Sequence, residues 1–386
     1  MVGFILFCDL SNLQLSFILV NNRKKQREGY YVDIIPVILA GGSGTRFWPL
    51  SRKDKPKHVL NIDGSDTMIA KAVARFQNIA PQENVHIISV SQQKSVIEEA
   101  LPVNSEVKFI YEPVQRGTSA CILMSALKLE KTYGDCVICV SPSDHYITLQ
   151  DEYDKVIASA ILCAQYQDKI VTIGITPTFA ATGYGYICCD FNTKSENTFK
   201  VKEFIEKPDY SKAKYFFDQG NYFWNSGIFV FKASVIIENF KRFLPCIYNR
   251  LIQWYDFIGT EEEDLQLNAI YPDLQNISID YGIMERSDDI FVLPADIGWS
   301  DLGSWDSLGC MFPPDNDGNI IRAKNVSIDT KNCVIFSKKS LVATIGVEDL
   351  IIVDCEDALL VCPKSESQRV KDIVEKMKSE NLEEYL

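Results

Sequence analysis

A chain of 386 residues with 46% hydrophobic content is long enough for a large buried core and a second, smaller unit, which excludes a disordered protein. Its 39 basic and 52 acidic residues give a formal net charge of -13, which disfavours a nonspecific grip on nucleic acid or an anionic membrane. Twelve cysteines with no short secreted framework around them fit a reducing compartment, and the cytosol is expected.

In chain order, "GFILFCDLSNLQLSFILV" is interrupted by Asp9, Asn12 and Gln14, which argues against a membrane span. Its basic residues follow the apolar stretch, in "NNRKKQREG", which argues against a signal peptide. Residues 1–30 are expected to be an extension outside the fold. From "DIIPVILAGG" to about Leu293, short apolar runs alternate with helical periodicity. "VHIISV", "VKFIYEP", "CVICVSPSDH" and "KIVTIGITP" read as strands. Ile69, Ala72, Val73 and Phe76 recur at helical spacing after an expected Asp66 cap, and "GTSACILMSALKLEKTYG" reads as a second helix. The alternation predicts an α/β, Rossmann-like domain with a mostly parallel sheet over residues 31–310.

Turn chemistry in "PPDNDG" places a boundary near Cys310 to Asp317. Residues 311–386 read as a small β unit, a sandwich or a β-helical coil, closed by a charged helix from about Ser365.

The stretch "VILAGGSGTRFWPLSRKDKPKH" carries the chemistry. A glycine-rich turn after a buried strand lets the backbone N–H groups around Gly41, Gly42 and Gly44 point into a phosphate-binding concavity. It is not the dinucleotide fingerprint, because Phe47 stands where a third glycine is needed, and it lacks the Gly-Lys-Ser/Thr of a Walker loop. Arg46, Arg52, Lys53, Lys55 and Lys57 follow on a segment that Pro49 and Pro56 keep from being one regular helix, so several charges are expected to converge on one polyphosphate. Asp144 ends an apolar strand at the carboxyl edge of the sheet, where α/β proteins place ligands. Asp301, in "WSDLGSW" between Gly298 and Gly303, is a second acid suited to the oxygen shell of a nucleotide-bound Mg²⁺. Cys136 and Cys139 form C-x-x-C within a strand, where residues three apart face opposite sides, so they are expected to be core thiols. No H-x-x-x-H or Gly-x-Ser-x-Gly spacing supports a zincin or a serine hydrolase.

"GGSGTRFWPLSRKDKPK" resembles the signature of sugar nucleotidyltransferases, and its Trp-Pro-Leu-Ser-Arg portion points to the mannose-1-phosphate guanylyltransferases among them. The resemblance extends through "EPVQRGTSA", "SPSDHY", "TGYGYI", "FIEKP", "NSGIFVF", "SIDYGIMERS" and "GWSDLGSWD", in the expected order. Ser143 departs from the usual Ala, and "RGTSA" from the usual Arg-Asn-Thr-Ala-Pro. The resemblance implies that Gly41, Gly42, Gly44, Thr45, Arg46, Lys57 and Thr118 hold the nucleotide, with Mg²⁺ at Asp144 and Asp301. It implies that Lys207 binds the phosphate of mannose 1-phosphate, that Glu206, Asn225 and Gly185 line the sugar pocket with Gly183 beside it, and that Asp280 contacts the sugar or a second metal. Glu112 has two readings, a carboxylate that accepts from the guanine N1–H and amine or a cap on the helix beginning near Gly117; the resemblance favours the base.

The expected reaction is in-line attack of mannose 1-phosphate on the α-phosphorus of GTP, giving GDP-mannose and pyrophosphate with no general base. Alternatives are another sugar 1-phosphate or base, or a noncatalytic subunit that senses nucleotide sugars. The family's C-terminal isomerase domain is expected to be missing, since residues 311–386 fall below a usual domain's size. No nucleic-acid partner is expected, and a homo-oligomer is compatible with the sequence.

Overall fold

The computed structural model describes residues 32–386 apart from Ser43 and Glu196; the expected extension 1–30 lies outside the described residues. The apolar run Ile34–Leu39 forms β1, nearly all of it buried. Ile34 and Ile38 face one hydrophobic layer and Ile35 and Val37 the other, as the two-residue period of a strand demands when both faces are covered. The remaining strands of this sheet are β2 (His86–Val90), β3 (Lys108–Glu112), β4 (Val137–Pro142), β6 (Ile170–Ile175), β7 (Tyr186–Ser195), β8 (Thr198–Ile205), β9 (Tyr222–Lys232) and β10 (Ile290–Ala295). A two-residue strand β5 (Tyr146–Ile147) stands outside it.

The order is β3-β2-β1-β4-β9-β6-β10-β8-β7. The four strands β3, β2, β1 and β4 run parallel, joined in chain order through helical crossovers, and β6 pairs parallel with β10 after a long excursion through β7, β8 and β9. β9 lies antiparallel between β4 and β6, and the hairpin β7–β8 is antiparallel because its turn is too short to cross over. The α/β class holds, and the sheet is mixed. Helices Gly117–Tyr133 and Ala233–Phe243 cover one face and Gln150–Gln167 the other. Cys136 and Cys139 point into these opposite layers as buried free thiols.

The first helix starts at Met68, so its cap is Thr67 and not the expected Asp66; the Thr67 hydroxyl accepts from the Ala70 amide at 3.2 Å. After β10 comes β11 (Trp299–Ser300), then β12 (Ile320–Ile328), β13 (Val334–Ile345), β14 (Leu350–Asp354) and β15 (Leu359–Pro363). β12, β13 and β14 stack parallel and β15 returns antiparallel, the pattern of a coil and not of a sandwich. A 3-10 turn at Lys364–Arg369 leads into the terminal helix Val370–Ser379. No helix among the described residues is long and apolar enough to cross a membrane.

Candidate active site

The glycine loop leaves the carboxyl end of β1 and turns at Gly44, whose φ of 64° is left-handed. A methyl group there would stand 2.3 Å from Lys57 Cβ and 3.1 Å from the Lys57 backbone nitrogen, so glycine is what lets the loop lie on Lys57. Gln115 Nε2 donates to the Gly41 carbonyl at 2.6 Å, and Ser51 Oγ to the Gly44 carbonyl at 2.7 Å. Thr45 and Arg46 follow in one 3-10 turn. Arg46 has no acidic partner among the described residues, and its Nε is buried without an acceptor. An uncompensated guanidinium beside a glycine turn suits an anionic ligand.

The cationic run does not converge as expected. Reciprocal backbone hydrogen bonds between Arg52 and Lys55 reverse the chain, which carries Lys57 back to the loop and leaves Lys53 and Lys55 exposed. Arg52 donates to the carbonyls of Pro49 and Tyr385 and to Asp357 at 2.6 Å, so it ties the segment to the C-terminal unit. Lys57, 5% exposed, donates to Asp144 Oδ2 at 2.9 Å and to the Asp301 carbonyl at 2.7 Å.

Two acids far apart in sequence meet here because β5 pairs antiparallel with β11, setting Tyr146 opposite Ser300. Asp144 precedes one strand of this ladder and Asp301 follows the other. Burial is the largest single influence on Asp144 and works to raise its pKa, but the charge and hydrogen bond of Lys57, together with His145 and His58, outweigh it and bring the carboxyl down to about 2. Asp301 Oδ1 accepts from the Tyr184 hydroxyl at 2.8 Å and the Gly303 amide at 3.0 Å, while Oδ2 has no hydrogen bond among the described residues. His58 and His145 are pushed down to about 4, chiefly by burial, and so add no positive charge at neutral pH. Two hard carboxylates with free oxygens fit a divalent cation that also takes phosphate oxygens and water. Among the described residues no three or more acidic, His or Cys groups are placed to hold a metal ion by themselves, as a closed all-protein site would need.

The expected sugar residues form a second cluster. Asn225 Nδ2 donates to Asp280 Oδ1 at 2.9 Å, and the Asn225 amide to the Gly185 carbonyl at 2.8 Å. Glu206 follows β8, its amide donating to Glu285 and its Oε1 lying 3.1 Å from Lys207 Nζ. Its Oε2 is buried with no partner and faces Gly185, where a Cβ would sit 2.4 Å away. Burial first, then Asp280, raise the Glu206 pKa to about 7, and burial raises that of Asp280. Lys207, with φ 47° and a half-exposed side chain, presents its ammonium at the rim.

Glu112 and Thr118 are engaged by protein groups. Glu112, 3% exposed, accepts from Tyr271 at 2.7 Å and from the Arg116 backbone amide, while burial raises its pKa. Thr118 Oγ1 accepts from the Ile279 amide at 2.8 Å and so pins the segment leading to Asp280. Sequence reasoning passed over Gln115, Tyr184 and Tyr271. Tyr184 and Gln115 sit inside quoted motifs, but Tyr184 meets its partner 117 positions away, beyond any local pattern.

A nucleotidyl transferase family model matches residues 35–315, and one for a MannoseP isomerase/GMP-like β-helix domain matches residues 323–377. The chain is 38% identical over 372 residues to the mannose-1-phosphate guanylyltransferase 2 of Escherichia coli O157:H7, covering 92% of this chain and 75% of that one. The chain belongs to the mannose-1-phosphate guanylyltransferase family of nucleotidyl transferases. A mannose-1-phosphate guanylyltransferase of Salmonella montevideo is 37% identical, covering 92% and 76%. A Thermus thermophilus crystal structure, described as a mannose-1-phosphate geranyltransferase, superposes with a TM-score of 0.82 at 29% identity, covering 89% of this chain and 99% of that one. The guanylyltransferase relatives are thus matched across both the sheet domain and the coil.

Proposed function

We propose that the chain is a mannose-1-phosphate guanylyltransferase, converting GTP and mannose 1-phosphate to GDP-mannose and pyrophosphate. The observation that carries this is a chain of contacts: Gly44 lies on Lys57, Lys57 bonds Asp144 and the Asp301 carbonyl, and the Asp301 carboxylate bonds Tyr184, next to the Gly185 that faces Glu206 and Asn225. The sugar-phosphate oxygen attacks the α-phosphorus in line, the bond to the β-phosphate oxygen breaks, and pyrophosphate leaves. The nucleophile is already anionic, so the protein's work is positioning and charge neutralisation.

In this reading Gly41, Gly42, Gly44 and Thr45 cradle the phosphates and Arg46 neutralises them. Lys57 holds Asp144 and the Asp301 carbonyl in one frame, and Lys207 receives the phosphate of the sugar. Glu206 Oε2, left without a donor, accepts from a sugar hydroxyl, with Asn225 and Asp280 beside it. Glu112 and Thr118 support the nucleotide side from behind, since their hydrogen bonds go to protein groups. Asp144 and Asp301 would hold Mg²⁺, which neutralises charge at the reacting phosphorus when bound. The division we propose is a catalytic domain over residues 31–310 and a coil with terminal helix over residues 311–386, working in the cytosol.

The test is pyrophosphate release across a matrix of nucleoside triphosphates and sugar 1-phosphates. GTP with mannose 1-phosphate is expected to give the highest kcat/KM. A higher value for another pair reassigns the substrate, and no turnover with any pair returns the chain to a noncatalytic role.

A further inference from the structure

We propose that Tyr184 is a positioning residue that ties the sugar pocket to the Asp301 carboxylate, so that filling the pocket tightens divalent-cation binding at Asp144 and Asp301. The inference rests on the assignment of those two acids as the metal pair. Tyr184 stands between Gly183 and Gly185. On one side, the Gly185 carbonyl takes the Asn225 amide and the Gly185 Cα faces Glu206, so this backbone is a wall of the sugar pocket. On the other, the Tyr184 ring packs edge-on against Trp224 at 5.0 Å and Trp299 at 5.3 Å. Trp224 directly precedes Asn225, and Trp299 lies on the ladder strand that Asp301 directly follows.

The ring is therefore fixed by both sites at once, and its hydroxyl reaches Asp301 Oδ1 at 2.8 Å. Because the Gly303 amide donates to the same oxygen, Oδ1 is held twice and the carboxylate plane is set, which leaves Oδ2 to face a cation. A neutral phenol does this without cancelling the charge the cation needs. Lys57 cannot serve in its place, since its ammonium bonds Asp144 Oδ2 and, within Asp301, the carbonyl and not the carboxylate. A sugar phosphate that orders the 183–185 backbone thus also orders Tyr184, and Asp301 through it. Linkage makes the effect reciprocal.

The experiment uses the full chain and Mn²⁺ without nucleotide, so that no turnover occurs. Mn²⁺ binding is read from the electron paramagnetic resonance signal of the free ion, with and without mannose 1-phosphate. In the wild type the sugar phosphate is expected to tighten Mn²⁺ binding about fivefold or more. Tyr184→Phe keeps the packed ring and loses the hydroxyl, so Mn²⁺ binding should weaken about tenfold and the tightening should vanish. Mannose 1-phosphate binding without metal should stay within about twofold. Equal tightening in wild type and Tyr184→Phe, the mark of direct ligation of Mn²⁺ by the sugar phosphate, overturns the inference, as does wild-type Mn²⁺ affinity in the variant. Asp301→Asn separates the two levels: if it binds Mn²⁺ as the wild type does, the metal assignment itself fails. Should Tyr184→Phe not fold, the wild-type arm still decides, because the absence of any tightening there refutes the coupling.

Discussion

Gly185→Ala isolates the sugar pocket from the rest of the site. The added Cβ would lie 2.4 Å from Glu206 Oε2 and 3.2 Å from Asn225 Cβ. A carbon next to a carboxylate oxygen needs about 3.3 Å, so the Glu206 carboxylate must retreat by about 1 Å. Gly185 is not among the glycines with positive φ, so alanine adopts its backbone without strain. The nearer obstacle is the end of the Glu206 side chain, which yields, while Asn225 Cβ at 3.2 Å needs to give by only a few tenths of an ångström. Glu206 moves, and the ion pair it makes with Lys207 moves with it.

A misplacement of about 1 Å in a positioning group costs about 100-fold, so kcat/KM for mannose 1-phosphate is expected to fall by about that factor. GTP binding should stay within about twofold and Tm within about 3 °C, since no core contact is lost. The assay is steady-state pyrophosphate release against mannose 1-phosphate at saturating GTP, with GTP binding measured by calorimetry. Gly183→Ala is the internal control, because a Cβ there meets nothing within 4 Å. Wild-type kcat/KM in folded Gly185→Ala, or an equal loss in Gly183→Ala, would refute the reasoning.

Four further outcomes are expected. Gly44→Ala combines a left-handed φ with a clash against Lys57, so it should destabilise the protein by about 1–3 kcal/mol in chemical denaturation and reduce turnover by orders of magnitude. Asp144→Asn and Asp301→Asn should each reduce turnover by orders of magnitude and the double variant little more; additive losses in a kinetic cycle would separate the two acids. Glu206 has its folded pKa raised to about 7, so its contribution to stability is present below the unfolded carboxyl range and is lost as pH rises through about 7. Glu206→Gln should therefore match the wild-type Tm near pH 5 (about the unfolded range) and exceed it above about pH 7; a gap that stays constant with pH would sink this account. Glu112→Gln should lower GTP and ATP use in parallel, because its carboxylate is engaged by Tyr271; a selective loss with GTP would return it to base recognition.

What the sequence made legible is what short-range pattern encodes. The alternation around β1, β2, β3 and β4 is local, and so is the need for glycine at Gly44. Asp144 could be placed because the strand before it is an uninterrupted apolar run. The antiparallel insertion of β9 between β4 and β6 could not, since pairing partners distant in sequence leave no local trace. The fate of Arg52 was hidden for the same reason: charge and spacing put it with Lys57, whereas a reversal between Pro49 and Pro56 turns it toward Asp357 and Tyr385. Thr67 capped where Asp66 was expected because both are good caps and a shift of one residue is below what pattern resolves.

The apolar letters of the signature acquire a purpose only in three dimensions. Phe47, Trp48 and Leu50 are buried in a third core with Leu302, Trp305 and Leu308, together with Val334, Phe336 and Ile351 of the coil and Val374 and Met377 of the terminal helix. Trp305 Nε1 donates to the Trp48 carbonyl at 3.0 Å and Trp48 Nε1 to the Tyr385 carbonyl at 2.8 Å, so the two indoles also satisfy buried or half-buried backbone groups. Each large side chain fully buried there contributes about 1.5–3 kcal/mol. That core begins one residue after Arg46 and one residue after Asp301. The segments that carry the guanidinium, the ammonium and the second acid are thus anchored in the same apolar mass, and the coil and terminal helix supply much of it. The C-terminal unit therefore backs the glycine loop: its apolar side chains help anchor the segments that carry Arg46 and Asp301, although none of its described side chains is hydrogen-bonded to Lys57, Asp144 or Asp301.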